Sequence, residues 1–309
     1  PGVHPSEAGV ASAAAALVLR TLYVAEAATV DDQHAADAAE LSLLPSERDA
    51  DCGAGAAVGE SVAARVLAHA ATDGSTAPWT GTLPVGPGYW VSAPGVPPLG
   101  PSWGAIRPWL MTSGRQFRPA PPPAFGSPEY RAALAEVRAY TDARTPEQLQ
   151  VAIFWQAGSG PGGPMGFFGE RALQLAAARH LDERATTRVL ALMFLAQMDA
   201  LIGCWDAKYH YAYLRPHQGD PGITTPVGRP NFPAYPSGHS CLSSSAARVL
   251  AGHFPDARGE LAALVEEAGL ARLYGGLHFR FDVDAGRTLG ENVAALALAR
   301  ARDHGPLLP

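Results

Sequence analysis

Three short polar clusters lie in the C-terminal third of the chain, inside otherwise apolar sequence. The first pairs a lysine with an arginine seven residues later, and the second is a Ser-Gly-His run that follows a proline. The third spaces an arginine, a histidine and an aspartate over eleven residues. The residues that could do chemistry are therefore Lys208, Arg215, Ser237, Gly238, His239, Arg272, His278 and Asp282.

These residue types fit a tetrahedral oxyanion. Three cations, a hydroxyl and the amide of a glycine at a helix start together hold an anion with two or three negative charges. The two imidazoles add a group that can bond to the central atom and a group that can move protons. Asp282 follows His278 by four residues, so its carboxylate can accept from the imidazole ring and fix the tautomer.

Lys208 stands out in the composition as well as in the motif. The chain carries 23 lysines and arginines, and Lys208 is the only lysine. An ammonium is a compact point charge, whereas a guanidinium is a planar fork, so this position is predicted to require the smaller group. Taken singly, each cluster also fits a solvated helix face, a helix cap or a structural His-Asp pair. Their combination favours a site.

The composition describes a globular protein. The chain has 309 residues, 47% of them hydrophobic and 17% charged, with a net charge of −6. This balance gives no general attraction to nucleic acid or to acidic membranes. The longest apolar stretches, 9–19 and 189–197, are too short to span a bilayer, which predicts a soluble protein without a membrane partner.

The cysteines and the first residue do not decide in which cellular compartment the protein resides. Cys52, Cys204 and Cys241 are odd in number and far apart, which argues against a disulfide framework. Cys204 and Cys241 are predicted to be buried free thiols. The chain begins at Pro1, which leaves open whether a leader was removed. Secreted, periplasmic and cytoplasmic locations are all compatible with the sequence.

Helices are predicted on both sides of one irregular segment. Residues 7–30, 35–43 and 55–72 are alanine-rich, with apolar residues at helical spacing. Prolines and tryptophans crowd residues 75–127. Proline at this density excludes a helix, and the tryptophans need a core to bury against, so the segment is predicted to be an ordered belt.

The remainder is predicted to be helical, with Gly158–Gly163 as a turn. The helices are placed at 128–140, from Thr145, from Asp182 to Leu214, and at 238–251, 258–268 and 284–302. No segment shows the alternation typical of strands. The predicted fold class is all-α, a helical bundle with a long Pro/Trp-rich belt, in a single domain over residues 1–309 whose site lies at 205–282.

The spacing of the polar clusters resembles a known signature. Lys208–x6–Arg215-Pro216, Pro236-Ser237-Gly238-His239 and Arg272–x5–His278–x3–Asp282 are similar to the three motifs of the superfamily that joins type 2 phosphatidic acid phosphatases and vanadium-dependent haloperoxidases. Ala271 departs from it, because the third motif commonly begins with serine. The alanine-rich start, the belt and the stretch 144–155 also resemble the soluble bacterial haloperoxidase branch.

The resemblance implies that superfamily's helical bundle and a role for each residue. Vanadate would be held by Lys208, Arg215, Ser237, Gly238 and Arg272, and phosphate can occupy the same site. His278 would be the axial ligand to vanadium, or the nucleophile toward a phosphoryl group, and Asp282 would orient it. His239 would be the general acid/base. Lys208 would also polarise bound peroxide, and Trp205 and Phe232 match aromatic positions of the halide pocket.

Three functions remain open at this point. The first is a vanadium-dependent haloperoxidase that oxidises chloride or bromide with hydrogen peroxide to hypohalous acid, which then meets a small organic acceptor. The second is a soluble acid phosphatase, and the third is a non-catalytic phosphate- or vanadate-binding protein. The absence of a predicted transmembrane helix and the aromatic pair favour the first, and His239 argues against the third. Halide preference, acceptor and a homo-oligomeric state stay open.

Overall fold

The computed structural model describes residues 4–44, 47, 50–158 and 163–303. Apart from two paired two-residue strands, β1 (His4–Pro5) and β2 (Ala50–Asp51), the regular structure of these residues is helical. The helices are α1 (Glu7–Leu22), α2 (Ala27–Leu41), α3 (Cys52–Ala70), α4 (Pro128–Asp142), α5 (Pro146–Ile153), α6 (Pro164–Ala177), α7 (Glu183–Tyr211), α8 (Pro216–Gly219), α9 (Gly238–His253), α10 (Arg258–Tyr274) and α11 (Arg280–Asp303). The all-α prediction is confirmed.

The contacts divide the chain into two compact units. The smaller comprises Pro1–Ser75 with His180–Arg188, and the larger comprises Thr76–Arg179 with Val189–Pro309. All candidate site residues belong to the larger unit. The prediction of one domain over residues 1–309 stays a prediction. The turn predicted at Gly158–Gly163 lies, for its residues 159–162, outside the described residues.

In the smaller unit α1 and α3 pack through small residues. Gly55, Gly59 and Ala63 recur every fourth residue and form the buried positions of α3. A Cβ on Gly59 would overlap the carbonyl oxygen of Val10, so the two backbones are in contact. The single helix predicted over 7–30 is wrong, because the backbone leaves the helical region at Tyr23 and α2 begins at Ala27.

The Pro/Trp-rich belt is ordered and is pinned to α7. Its only helical turn in residues 76–127 is the 3₁₀ turn Trp103–Ala105. Asp199, fully buried on α7, accepts hydrogen bonds from the backbone N–H groups of Trp109 (2.8 Å), Leu110 (2.8 Å) and Met111 (2.7 Å). Trp90 is 3% exposed. A buried side chain of α7 therefore satisfies part of the backbone of the belt, and backbone contacts such as that of the Trp90 N–H with the carbonyl of Ala212 satisfy other parts.

A close crossing of α9 and α11 brings two parts of the site together. A Cβ on Gly286 would lie 2.5 Å from the carbonyl oxygen of Ser237, so only glycine permits this approach. The backbone N–H of Ser237 donates to the carbonyl of Asp282 at 2.8 Å. The start of α9 and the first turn of α11 are thereby held side by side. α9 also packs against α6 and α10.

Three predicted helix bounds near the site are corrected. α7 ends at Tyr211 rather than at Leu214, because Ala212 takes a positive φ of 46°, so Arg215 does not lie on the helix of Lys208. α10 extends to Tyr274 rather than ending near 268, so Arg272 is helical. Gly276 then takes a positive φ of 69°, and a Cβ there would overlap the carbonyl oxygen of Thr224. α11 begins at Arg280 instead of 284, which places Asp282 in its first turn.

One described helix, Glu183–Tyr211, is long and apolar enough to cross a membrane by length and composition. The longest uncharged stretch of this helix lies between Arg188 and Asp199 and is shorter than a bilayer requires. Of the apolar part of the helix, 61% is buried inside the structure, as is typical of a core helix in a soluble protein.

Removing the Asp199 carboxylate tests how strongly the belt depends on it. Asp199→Ala leaves three backbone N–H groups without their acceptor, so we expect the free energy of unfolding to fall by about 3 kcal/mol or more. Asp142→Ala is the control, because it removes an exposed carboxylate paired with Arg138 and should cost less than about 1 kcal/mol. Denaturant unfolding measures both. Equal losses would show that Asp199 does not anchor the belt.

Candidate active site

Lys208 is fully buried and has all three ammonium donors engaged. Its Nζ donates to the carbonyl oxygens of Pro233 (3.0 Å), Ala234 (2.7 Å) and Pro236. A tripod of carbonyls matches an ammonium and does not match a planar guanidinium, which agrees with the unique lysine. Burial lowers the pKa of Lys208 to about 8, with Arg215 adding to the fall. To bond to an anion, Lys208 would have to exchange one carbonyl.

Arg215 is also fully buried and lies between the loop before α9 and His278. Its Nε and Nη2 donate to the carbonyl of Phe232 at 3.1 and 3.0 Å, and its Nη1 donates to that of Leu277 at 2.9 Å. Nη1 also lies 3.0 Å from Nε2 of His278. Burial lowers the pKa of Arg215 to about 10.

The contacts of His278 assign its tautomer. Arginine has only donors, so Nε2 of His278 must offer its lone pair to Arg215. The proton then lies on Nδ1, which donates to Oδ2 of Asp282 at 2.9 Å. Burial, followed by the charges of Arg215 and Lys208, holds the pKa of His278 well below its usual value. His278 is therefore a neutral imidazole with its Nε2 lone pair directed toward the cations.

Asp282 is fixed for this role. Its Oδ2 also accepts the backbone N–H of Phe279 at 3.0 Å. Burial raises the pKa of this carboxyl group to about 7, opposed by that N–H and by the charges of Lys208 and Arg215. Asp282 is the carboxylate predicted to orient His278, and the hydrogen bond required for that role is present.

Ser237 and Gly238 form the start of α9. The Ser237 hydroxyl caps the helix by accepting the N–H of Ser240 at 3.3 Å. A Cβ on Gly238 would meet Trp205 at 3.4 Å, an ordinary contact, and the glycine has no positive φ. Neither sterics nor backbone conformation demands glycine here. The missing side chain leaves room for a ligand at the positive end of the helix.

His239 and Arg272 are both held by one π-helical turn, Phe154–Gly158. Nε2 of His239 donates to the carbonyl of Trp155 at 2.8 Å, because a carbonyl only accepts, so its Nδ1 carries the lone pair. Burial and the charge of Arg272 hold the pKa of His239 well below its usual value. Nη2 of Arg272 donates to Oε1 of Gln156 at 2.7 Å.

Arg272 keeps most of its donors open. It is 1% exposed, and its Nε and Nη1 find no hydrogen-bond partner among the described residues. Burial, with the neighbouring charge of Arg215, lowers its pKa to about 9. Lys208, Arg215 and Arg272 thus form a buried cationic cluster near a single carboxylate, Asp282. Such a cluster attracts an anion with several oxygens.

Comparison with known proteins links this arrangement to a family model. Residues 186–305, which contain every motif residue, match the model of the PAP2 superfamily. A bacterial vanadium-dependent iodoperoxidase matches the structure with a TM-score of 0.71 and 25% identity, over 87% of this chain and 74% of that chain.

Other solved structures support the same fold. An apo-type bacterial vanadium-dependent chloroperoxidase matches with a TM-score of 0.77 and 16% identity, over 96% of this chain and 83% of that chain. A holo-type structure of a bacterial vanadium-dependent chloroperoxidase matches with a TM-score of 0.70 and 14% identity, over 96% and 82%. At these identities the likeness shows the fold alone. No curated protein matches the chain in sequence.

The two residues of the predicted halide pocket lie beside Lys208 and Arg215. The rings of Trp205 and Phe232 are 5.1 Å apart, and Nζ of Lys208 lies 5.8 and 5.2 Å from their centres. Trp205 also packs on Trp103, with the two ring centres 5.2 Å apart. Halide binding by this pair stays a prediction.

Sequence reasoning missed Gln156 as part of the site. It lies 116 residues from Arg272 in the chain, and a single glutamine carries no pattern that would reveal the contact. Trp155 belonged to the stretch that resembled the haloperoxidase branch, but its carbonyl contact with His239 was not anticipated. Cys204 and Cys241 are buried free thiols, as predicted. The oxyanion-binding and catalytic roles of the motif residues stay predictions.

Sulfate binding should report the charge of Lys208. Sulfate keeps its charge over the relevant range, and Lys208 loses its proton as the pH rises through about 8. We therefore expect sulfate affinity to fall roughly fourfold between about pH 6.5 and about pH 8.5, following the charged fraction of the lysine. Isothermal titration calorimetry measures it.

The control is Lys208→Met, which should bind sulfate more weakly and keep only the smaller pH dependence that ionisation of Asp282 near pH 7 produces. A pH dependence that is unchanged by the substitution would assign the titration to another group.

Proposed function

We propose that this protein is a vanadium-dependent haloperoxidase that oxidises chloride or bromide with hydrogen peroxide to hypohalous acid. The observation that carries the proposal is a neutral histidine, His278, whose Nε2 lone pair faces the buried guanidinium of Arg215. The charges of two further buried cations, Lys208 and Arg272, act on the same ring. The reactants are hydrogen peroxide, a halide and a small organic acceptor. Nucleic acid and membrane have no part in the reaction.

The residues present fit vanadate as the cofactor. Lys208, Arg215 and Arg272 supply positive charge, and Nε and Nη1 of Arg272 are buried donors without a partner in the described chain. Gly238 has no steric reason to be glycine other than the space it leaves. Vanadate bound to Nε2 of His278 would activate hydrogen peroxide by coordination, without a change in the oxidation state of vanadium.

His278 and Asp282 act together to present one nitrogen. Asp282 holds the proton of the ring on Nδ1, so Nε2 is free to donate its lone pair to the central atom. Because the low pKa keeps His278 neutral near pH 7, this lone pair is available without prior loss of a proton. Nη1 of Arg215 is hydrogen-bonded to the same Nε2 atom, so this hydrogen bond must break when His278 bonds to the central atom.

His239 moves the protons. Its Nε2–H is committed to the carbonyl of Trp155, so the atom that accepts a proton from incoming peroxide and later returns it is Nδ1. Its pKa lies well below the usual value, and the ring therefore starts as a base. Trp205 and Phe232 present apolar walls next to Lys208, where a halide would shed water and become a better nucleophile.

A soluble acid phosphatase is the second candidate. The geometry of His278 supports it as well as it supports the haloperoxidase. The Nε2 lone pair of His278 can attack phosphorus as well as bind vanadium, with His239 protonating the leaving group. The haloperoxidase is preferred because the bacterial iodoperoxidase shares 25% identity over most of both chains and because the aromatic pair borders the cations. A soluble protein, secreted, periplasmic or cytoplasmic, is compatible with both functions.

Adding orthovanadate to the purified protein separates the candidates. We expect halogenation of a phenolic dye with hydrogen peroxide and bromide or chloride, with iodide run in parallel, and none without vanadate. Hydrolysis of a nitrophenyl phosphate is measured on the same preparation. Hydrolysis inhibited by vanadate, with no halogenation at any halide, would replace the haloperoxidase by the phosphatase.

Substitution of the two histidines distinguishes their roles. His278→Ala removes the nitrogen that bonds to vanadium, so vanadate should bind loosely to the remaining cations and halogenation should be lost. His239→Ala keeps that nitrogen, so vanadate should still bind while turnover falls roughly 10²–10⁴-fold, the usual cost of losing a general acid/base.

Vanadate affinity and halogenation rate are measured for both variants across pH. Loss of vanadate in His239→Ala together with retention in His278→Ala would reverse the assignments. Lys208→Arg complements the pair: it keeps the charge but has the wrong shape for three carbonyls, and we expect weakened binding with a sharp loss of turnover.

A further inference from the structure

We propose that Gln156 is the residue that positions Arg272 toward the bound oxyanion, and that its neutrality leaves Arg272 its full charge for that anion. The inference rests on the proposed function only in requiring an oxyanion at this site. It assigns a positioning role to a residue outside the three motifs.

The first support is the hydrogen bonding of Arg272. Of its donors, Nη2 alone has a partner in the described residues, and that partner is Oε1 of Gln156 at 2.7 Å. Among the described residues this is the one hydrogen bond that sets the orientation of the guanidinium. The amide of Gln156 fixes one corner of the fork and leaves Nε and Nη1 open for a ligand.

The second support is the choice of partner. Two partly buried arginines of the larger unit each pair with a carboxylate through two donors, Arg118 with Asp206 and Arg280 with Glu136. No carboxylate pairs with Arg272 in the described part of the chain, although Arg272 is more deeply buried than either. A carboxylate at this contact would compete with the bound anion for the same charge.

The third support is how firmly Gln156 is placed. Its neighbour Trp155 is fully buried in an aromatic cluster and donates Nε1 to Oε1 of Glu267 at 2.9 Å. Glu267 lies on α10, the helix that carries Arg272. The π-helical turn is thus fixed to the same helix whose arginine it holds. The Trp155 carbonyl meanwhile receives His239, so one turn orients two residues of the site.

Two substitutions separate orientation from charge. Gln156 is solvent-exposed, so either replacement should leave the fold intact. Gln156→Met keeps the length of the side chain but removes the acceptor, whereas Gln156→Glu keeps an acceptor and adds a negative charge. Gln174→Glu on α6 is the matched control, because Gln174 also accepts from an arginine, Nη1 of Arg171 at 3.0 Å, away from the site.

The readout is the affinity for inorganic phosphate, measured by calorimetry at about pH 5.5, where the monoanion dominates, and at about pH 8.5, where the dianion does. Each variant is expressed relative to the unsubstituted protein at the same pH. For Gln156→Met we expect a several-fold loss that is equal at both pH values. For Gln156→Glu we expect a loss that rises to roughly tenfold for the dianion, because a nearby like charge repels it more strongly.

The outcomes are distinguishable. A charge-dependent loss in Gln156→Glu that is absent in Gln174→Glu and in Gln156→Met supports the inference, since a purely structural defect would not follow the ligand charge. If both Gln156 variants bind phosphate within twofold of the unsubstituted protein, the inference is overturned while the proposed function stands. If the unsubstituted protein binds neither phosphate nor vanadate, the oxyanion site itself fails.

Discussion

The site depends on burying three cations with almost no countercharge. Transfer of an ammonium or guanidinium from water is costly unless each donor finds an acceptor. Backbone carbonyls carry this role here. Lys208 takes three and Arg215 takes those of Phe232, Pro233 and Leu277. Carbonyl dipoles satisfy donors without cancelling the net charge, so the cluster stays positive toward a ligand.

Proline makes these carbonyls available. Residues 232–236 precede α9 and contain Pro233 and Pro236, which lack an N–H and fit no helix interior. In a helix or a sheet these carbonyls would accept hydrogen bonds from backbone N–H groups. In this irregular segment they point at Lys208 and Arg215 instead. The proline-rich loop is therefore part of the binding chemistry and not merely the connection to Ser237.

The sequence predicted local pairs better than their surroundings. The spacing of His278 and Asp282 predicted their hydrogen bond. Lys208 and Arg215 do meet at the carbonyl of Pro233, but not on one helix face as their spacing suggested, because α7 ends at Tyr211. The all-α class followed from periodicity. Other features depend on tertiary packing, for which a single sequence carries no local signal. These are the helix break at Tyr23, the full length of α10 and the contact of Gln156 with Arg272.

The same physics links anion binding to the stability of the fold. The pKa of Lys208 falls from 10.5 to about 8 on folding, so the unfolded chain binds more protons between these values. Keeping the lysine charged in the fold therefore opposes folding by on the order of 3 kcal/mol below about pH 8, and the cost disappears above about pH 10.5. An anion that binds only the folded state offsets this cost. The buried cations therefore destabilise the fold most when no anion is bound. Binding of the oxyanion relieves part of this destabilisation.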